Sequence, residues 1–124
     1  MQLLQMLAHE RLRAWPSAHQ LALETFVVTQ GWPKRELYGL SAQTRRAALS
    51  VPTNIAEGGA RLGRRDLARF LNIALGSLAE LQYLLEFATD VGVCDRLDWE
   101  RLNRTRDQTG KLLWGLYRRV RALT

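Results

Sequence analysis

The chain has 124 residues, of which 47% are hydrophobic, enough for one domain with a hydrophobic core. It carries 18 Lys and Arg against 12 Asp and Glu, and the net charge of +6 favours an anionic partner. The single cysteine, Cys94, excludes an internal disulfide and a cysteine-based metal site, which is typical of a reducing cytoplasm, and no apolar run is long enough for a transmembrane helix.

The first predicted helix spans residues 16–30. Pro16 suits a first helical turn, where its missing N–H costs nothing, and Leu21 and Phe26 follow at helical spacing. Gly31 is expected to end the helix in the left-handed conformation. Residues 1–14 form an amphipathic lead-in whose register the pattern does not determine.

The second predicted helix spans residues 41–58, with Ser41 as its N-cap and Gly58 at its end. Pro52 lies inside this segment and removes one backbone hydrogen bond, so it either kinks the helix or begins a separate one. Asn54 is expected to hydrogen-bond the backbone beside Pro52 rather than to serve in catalysis.

The third predicted helix, residues 64–90, has the clearest pattern in the chain. Its apolar residues repeat at alternating spacings of four and three, as in the helices of bundles. They are Leu67, Leu71, Ala74, Leu78, Leu81, Leu85 and Ala88. Phe70, Leu75 and Leu84 widen the stripe, which predicts a second contact surface on either another helix or another subunit.

The fourth predicted helix spans residues 98–121 and is capped by Asp95 or Asp98. It contains Gly110 and Gly115, each of which costs about 1 kcal/mol against alanine, so we expect close packing there. Four helices with short connections predict an all-α domain over residues 1–124, folded as an antiparallel up-down-up-down four-helix bundle.

That topology gathers positive charge at one end of the bundle. The start of helices one and three and the end of helices two and four meet there. The arginines at this end are Arg11, Arg13, Arg61, Arg64, Arg65, Arg118, Arg119 and Arg121, and only Glu10, Glu57 and Asp66 oppose them. We name this region the basic end.

Arg64 and Arg65 occupy the first turn of helix three, where the helix dipole disfavours each cation by about 0.3–1 kcal/mol. With Arg61 they are candidates for a phosphate-binding corner at a helix start. The alternative is a solvated turn in which they pair with acidic neighbours. Three further candidates, Arg118, Arg119 and Arg121, lie at a helix C-terminus, which favours cations in any case.

Arg45 and Arg46 are further candidates for phosphate contact, because adjacent positions on a helix cannot both face the core. Glu57 is too far along the same helix to pair with either, so an ion pair would have to form between subunits. Solvated arginines and a glutamate bonded near the glycine turn are the other alternative.

No pattern indicates catalysis or a bound metal or cofactor. His9 and His19 are out of phase on a helix, Glu80 lacks the histidine that a di-iron bundle places three residues later, and Cys94 has no neighbouring histidine. The tryptophans do not alternate with basic residues, so we expect them in core and subunit packing. They are Trp15, Trp32, Trp99 and Trp114.

Residues 37–90 resemble the four-helix bundle proteins encoded in intervening sequences of bacterial 23S rRNA genes. The matching residues are Gln43, Arg45, Arg46, Ala47, Ser50, Pro52, Asn54, Ile55, Ala56, Glu57, Gly58, Arg69, Phe70, Leu71, Ala74, Gly76, Ser77, Leu78, Glu80 and Leu81. Gly59 stands where the family usually has an aromatic residue, and Gly63 where a serine would cap helix three. The family includes the accessory variability determinant of diversity-generating retroelements, whose members form pentamers, bind nucleic acid and associate with a reverse transcriptase.

Composition and resemblance together predict a non-enzymatic cytoplasmic protein that binds RNA or DNA phosphates through its arginines. The resemblance implies a cyclic homo-oligomer, a pentamer, with aligned basic ends. The alternative is a protein-interaction scaffold with no role in nucleic-acid binding.

Overall fold

The computed structural model describes the backbone of residues 2–124 and the side chains of Arg11 and residues 13–124. Over that range the chain forms four α-helices and no strand, so the expected all-α class is confirmed. The helices are α1 (Gln2–Gln30), α2 (Leu40–Gly59), α3 (Arg64–Asp90) and α4 (Arg96–Ala122).

The four helices form a closed square in cross-section. α1 packs against α2 and α4, and α3 packs against the same two helices, while the backbones of the diagonal pairs do not approach closely within the described range. Because the links between successive helices are short, neighbours run antiparallel in the up-down-up-down order. This arrangement brings the α2–α3 and α3–α4 junctions to defined ends of the bundle.

α3 supplies the centre of the core. All seven residues of its predicted apolar stripe are buried, and Leu71, Ala74, Leu81 and Ala88 have no exposed surface. Phe70 and Leu84 are buried within the single chain as well. The neighbouring helices therefore account for Phe70 and Leu84, whereas Leu75 is only partly buried within the chain.

α1 begins earlier than predicted. It starts at Gln2, so Pro16 lies inside the helix and the lead-in continues it, whereas the sequence placed Pro16 in the first turn. The predicted end at Gln30 is confirmed, but Gly31 is not left-handed. The amides of Gly31 and Trp32 bond the carbonyls of Val28 and Thr29, and this tightened last turn needs no positive φ.

α2 is continuous through Pro52, which excludes a separate helix beginning there. Ser41 is not the N-cap; the cap is Gly39, and Ser41 is buried in the first turn. The side-chain amide of Asn54 donates to the carbonyl of Ser50 at 2.7 Å and to its hydroxyl at 2.9 Å. This confirms that Asn54 satisfies the backbone beside Pro52.

Gly58 allows α2 and α3 to approach closely. α2 runs through Gly58 without a positive φ and ends at Gly59, one residue beyond the predicted end. A Cβ at this position would lie 2.9 Å from the Cβ of Phe70 and 3.0 Å from the Cδ1 of Leu67. A side chain larger than hydrogen would therefore push α3 away.

α4 begins at Arg96, two residues before its predicted start, because Asp95 is the N-cap and its carboxylate accepts a hydrogen bond from the amide of Leu97 at 2.6 Å. Gly110 packs closely against α3, since a Cβ there would lie 3.3 Å from the Cδ2 of Leu78. Gly115 faces open space within the chain.

The two glycines Gly58 and Gly115 provide a matched test of the α2–α3 contact. Both have helical backbones, so alanine brings each the same gain of about 1 kcal/mol in helix propensity. Overpacking should cost Gly58→Ala about 1–3 kcal/mol in addition. In urea unfolding at equal protein concentration, we expect Gly58→Ala to be less stable than Gly115→Ala by that amount, and equal stabilities would contradict the contact.

Candidate nucleic-acid interface

The arginine corner between α2 and α3 contains two unpaired cations. Arg64 and Arg65 are exposed and have no ion-pair partner among the described residues. The acids expected to neutralise them are engaged elsewhere, since Glu57 lies 3.9 Å from Arg61 and Asp66 lies 3.7 Å from Arg69. The structure therefore excludes the alternative in which Arg64 or Arg65 forms an ion pair with Glu57 or Asp66.

The aromatic ring of Phe70 positions two more cations of the corner. The guanidinium carbons of Arg61 and Arg69 lie 4.8 Å and 4.6 Å from the ring centroid. Phe70 itself is held against Gly58. Such cation–π contacts contribute about 0.5–1 kcal/mol each at exposed sites, enough to restrict where the two arginines point.

The first turn of α3 leaves backbone donors free beside these arginines. Its N-cap is Gly63, which has no side chain to accept from the first-turn amides. Free N–H groups, which carry a partial positive charge, and the positive end of the helix dipole therefore lie in the same region as Arg64 and Arg65. The combination disfavours cations in the unbound protein and favours an approaching anion.

A groove of about 480 Å³ lies between the start of α3 and the end of α4. Three of its lining residues are arginines, and no acidic side chain of the described chain lines it. The lining residues are Arg65, Ala68, Arg69, Asn72, Tyr117, Arg121 and Thr124. We name it the α3–α4 groove.

Sequence reasoning missed Arg69, Asn72 and Tyr117 as candidate site residues. The signal was present as two helical stripes: residues 65, 68, 69 and 72 share one face of α3, and residues 117 and 121 share one face of α4, with residue 124 just beyond its end. Neither stripe indicates a groove until the packing of α3 against α4 is known.

An aromatic pair adjoins the groove. The ring of Trp114 stacks on that of Tyr117, with centroids 5.7 Å apart and planes inclined by 29°. Trp114 was expected in packing, but 50% of it is exposed. Trp32 is buried, as expected for core packing. Aromatic and basic side chains therefore meet on α4, which their spacing in the sequence did not predict.

The other two α4 candidates lie beside this region. Arg118 and Arg119 are exposed and, with Gly115, line a shallow hollow of about 330 Å³. Their place in the last turns of α4 agrees with the favourable dipole there. The structure thus brings the candidates on α3 and α4 to one end of the bundle.

Arg45 and Arg46 lie away from that end. The Nε of Arg45 donates to the hydroxyl of Thr29 at 2.8 Å, and its guanidinium lies 4.7 Å from the ring of Phe26, so Arg45 is half-buried between α1 and α2. Arg46 is exposed, as expected for one member of the pair. The structure does not join these two residues to the arginine corner.

No group of three His, Cys, Asp or Glu able to hold a metal occurs among the described residues. His19 stacks on Trp15 with ring centroids 4.9 Å apart, while the side chain of His9 lies outside the described residues. Cys94 is buried, and this burial raises the pKa of its thiol above 9.0, with a smaller increase from Asp98 and Asp95 and an opposing hydrogen bond from Thr89.

These features define the chain as a four-helix bundle with an arginine-rich end, and the comparisons with known proteins place it further. The model of the 23S rRNA-intervening sequence protein family matches residues 10–115, and the chain belongs to that family. The resemblance noted in the sequence is thereby confirmed.

One solved structure with the same fold is a protein of unknown function from the S23 ribosomal protein family of Bacteroides thetaiotaomicron. It matches with a TM-score of 0.82 over 88% of this chain and 98% of its own, at 23% identity. No curated protein matches the chain significantly. Within the described residues, none of the helices is both long and apolar enough to cross a membrane.

The raised pKa of Cys94 predicts that its thiol reacts slowly with disulfide reagents. Only the thiolate attacks a disulfide reagent, and the buried group stays protonated at neutral pH. We expect labelling by Ellman's reagent to be much slower in the folded protein than in urea, and to accelerate at alkaline pH as the thiolate forms. Equal rates in the two states would contradict the burial of the thiol.

Proposed function

We propose that the protein binds RNA or DNA by contacting phosphates through its basic end, as an oligomeric, non-enzymatic protein of the cytoplasm. The observation that carries the proposal is the convergence of Arg65, Arg69 and Arg121 on one groove without an acidic lining residue among those described. Arginine suits this role because its planar guanidinium binds phosphate oxygens in pairs. Phosphate contacts also supply most of the non-specific affinity of nucleic-acid-binding proteins.

The unfavourable electrostatic position of the arginines in this corner supports the proposed function. Arg64 and Arg65 sit where the α3 dipole disfavours them, and neither gains an ion pair with a described residue in return. A bound phosphate would offset both the repulsion by the helix dipole and the lack of an ion-pair partner, since it accepts hydrogen bonds from the free amides and pairs with the cations. A solvated turn gives no comparable reason for two arginines here.

We further propose that the chain assembles as a cyclic homo-oligomer, a pentamer, as the family resemblance implies. A ring needs two different contact patches on each subunit. Two separate exposed apolar patches support it: one on α1 and α2, formed by Leu23, Phe26 and Leu49, which line one hollow, and one on α3, formed by Tyr83 and Phe87, whose rings lie 6.3 Å apart. In such a ring the basic ends of all subunits face the same side.

The same apolar patches support a second candidate, a scaffold whose partner is another protein. Exposed apolar groups that form contiguous patches are typical of protein interaction sites. A pull-down with and without nuclease treatment separates the two functions. Partners that disappear after nuclease digestion indicate nucleic-acid binding, whereas partners that remain bound indicate the scaffold.

The arginine corner gives a prediction about salt dependence. The triple variant Arg61→Ala, Arg64→Ala, Arg65→Ala should bind a labelled oligonucleotide more weakly at low salt. The slope of log K against log salt should fall by about 1 for each phosphate that the variant no longer neutralises, hence by about 2–3 in total. Fluorescence anisotropy between low and moderate salt measures both quantities.

A matched control removes three cations from the opposite end of the bundle. Lys34→Ala, Arg35→Ala, Arg96→Ala changes the net charge by the same amount, and these residues are exposed. We expect a smaller loss of affinity and a nearly unchanged slope. Equal effects of the two triples would show that net charge alone determines binding, and no binding by the wild type at low salt would overturn the function.

The oligomer gives a prediction about mass. Light scattering at micromolar concentration should give a multiple of 14.2 kDa, and a pentamer gives five times that value. Replacing Phe26 and Leu49 together by serine should lower the mass, because it removes apolar surface from one patch. A monomeric wild type would contradict the assembly.

A further inference from the structure

We propose that the α3–α4 groove binds one unpaired nucleotide of a single-stranded nucleic acid, with its phosphate between Arg65 and Arg121 and its base on Tyr117. The inference rests on the proposed function and specifies the form of the ligand. It distinguishes a groove that reads an exposed base from a basic surface that attracts any polyanion.

The size and the lining of the groove fit one nucleotide. Its volume of about 480 Å³ falls within the roughly 300–1,000 Å³ of small-molecule sites. It offers the three chemical groups that a nucleotide requires: cations for the phosphate, an aromatic ring for the base and polar groups for the base edge or sugar. Asn72 and Thr124 supply the polar groups.

The cations flank the groove from both helices. Arg65 lies on α3 and Arg121 on α4, and neither has an acidic partner within the described chain. Arg69 is held by Asp66 and by the ring of Phe70, so it is positioned but partly neutralised. Arg65 and Arg121 are therefore the two cations available to a phosphate.

The helix dipoles explain why a cation is needed on the α4 side of the groove. The start of α3 attracts an anion and the end of α4 repels one, and the two ends lie next to each other in the antiparallel bundle. Arg121, in the last turn of α4, offsets the repulsion on its side. The groove thereby presents a positive potential from both walls.

Tyr117 provides the stacking surface. It is half-buried, packs on the core and lines the groove, while Trp114 stacks against it at 5.7 Å. A ring fixed in this way loses little freedom when a base stacks on it. Bases in a duplex are already stacked on each other, so only an unpaired base can reach this ring.

The test compares wild type, Tyr117→Leu and Tyr117→Phe by anisotropy at low salt. The probes are a labelled single-stranded 12-mer and a duplex of the same sequence. We expect the wild type to bind the single strand more tightly than the duplex. Tyr117→Leu should weaken binding of the single strand roughly tenfold or more and leave binding of the duplex unchanged, since stacking is sensitive to loss of the ring. Tyr117→Phe, which retains the ring, should bind like wild type.

A control variant and a second measurement keep the test decisive. Tyr38→Leu removes an exposed tyrosine outside the groove and should have no effect. If Tyr117→Leu does not fold, as judged by circular dichroism, ultraviolet crosslinking of wild type to a strand containing 5-iodouridine replaces it. A crosslink within residues 114–121 supports the groove, and crosslinks confined to other segments overturn it.

The outcomes separate this inference from the function on which it rests. Equal affinity for single strand and duplex, together with an unchanged Tyr117→Leu, overturns the nucleotide site but leaves phosphate binding by the basic end intact. Absence of binding to both probes overturns the proposed function itself.

Discussion

The close approach of α2 and α3 at Gly58 determines how the basic end is assembled. With no side chain at this position, the Cβ of Phe70 packs directly against the backbone of α2. The ring of Phe70 is then fixed where Arg61 and Arg69, from either side of the turn, contact it. A helix spacing set by one missing methyl group thus controls the position of two guanidinium groups, and through α3 the position of Arg65 as well.

Electrostatics at this end oppose stability and favour binding. Arginines of α3, of α4 and of the turn before α3 lie at this end, and the nearby carboxylates of Glu57 and Asp66 pair with Arg61 and Arg69 rather than with Arg64 or Arg65. Exposed pairs of this kind contribute only about 0–1 kcal/mol, so they do not cancel the repulsion among the cations. An anion that enters the α3–α4 groove is attracted by charges that the fold itself leaves uncompensated.

The sequence predicted the features that depend on one helix at a time. The α3 stripe and the Asp95 cap follow from local spacing and local hydrogen bonding, and both are confirmed. Pro16 was interpreted wrongly as a helix start, since α1 begins at Gln2 and runs through it, whereas the glycine end of α2 was predicted to within one residue. The partners of Arg45 were not predictable, since Thr29 lies on another helix.

The α3–α4 groove could not be predicted from the sequence for the same reason. Periodicity places Arg65 and Arg69 on one face of α3, and Tyr117 and Arg121 on one face of α4, but it does not give the rotation of one helix relative to the other. That rotation is set by core contacts such as the one between Gly110 and Leu78. A site formed between two helices therefore appears only once both have been packed.

The square arrangement of the helices also determines whether the proposed self-association and the proposed nucleic-acid binding would compete for the same surface. The apolar patch of Leu23, Phe26 and Leu49 lies on the α1–α2 side of the bundle, and the groove lies on the opposite, α3–α4 side. The second patch includes Tyr83 and Phe87, in the half of α3 distant from Arg65. A ring formed through these two patches leaves the α3–α4 groove of every subunit open. It repeats that groove on one side of the ring, where a single strand that reaches two neighbouring grooves gains from the high effective concentration of the second site.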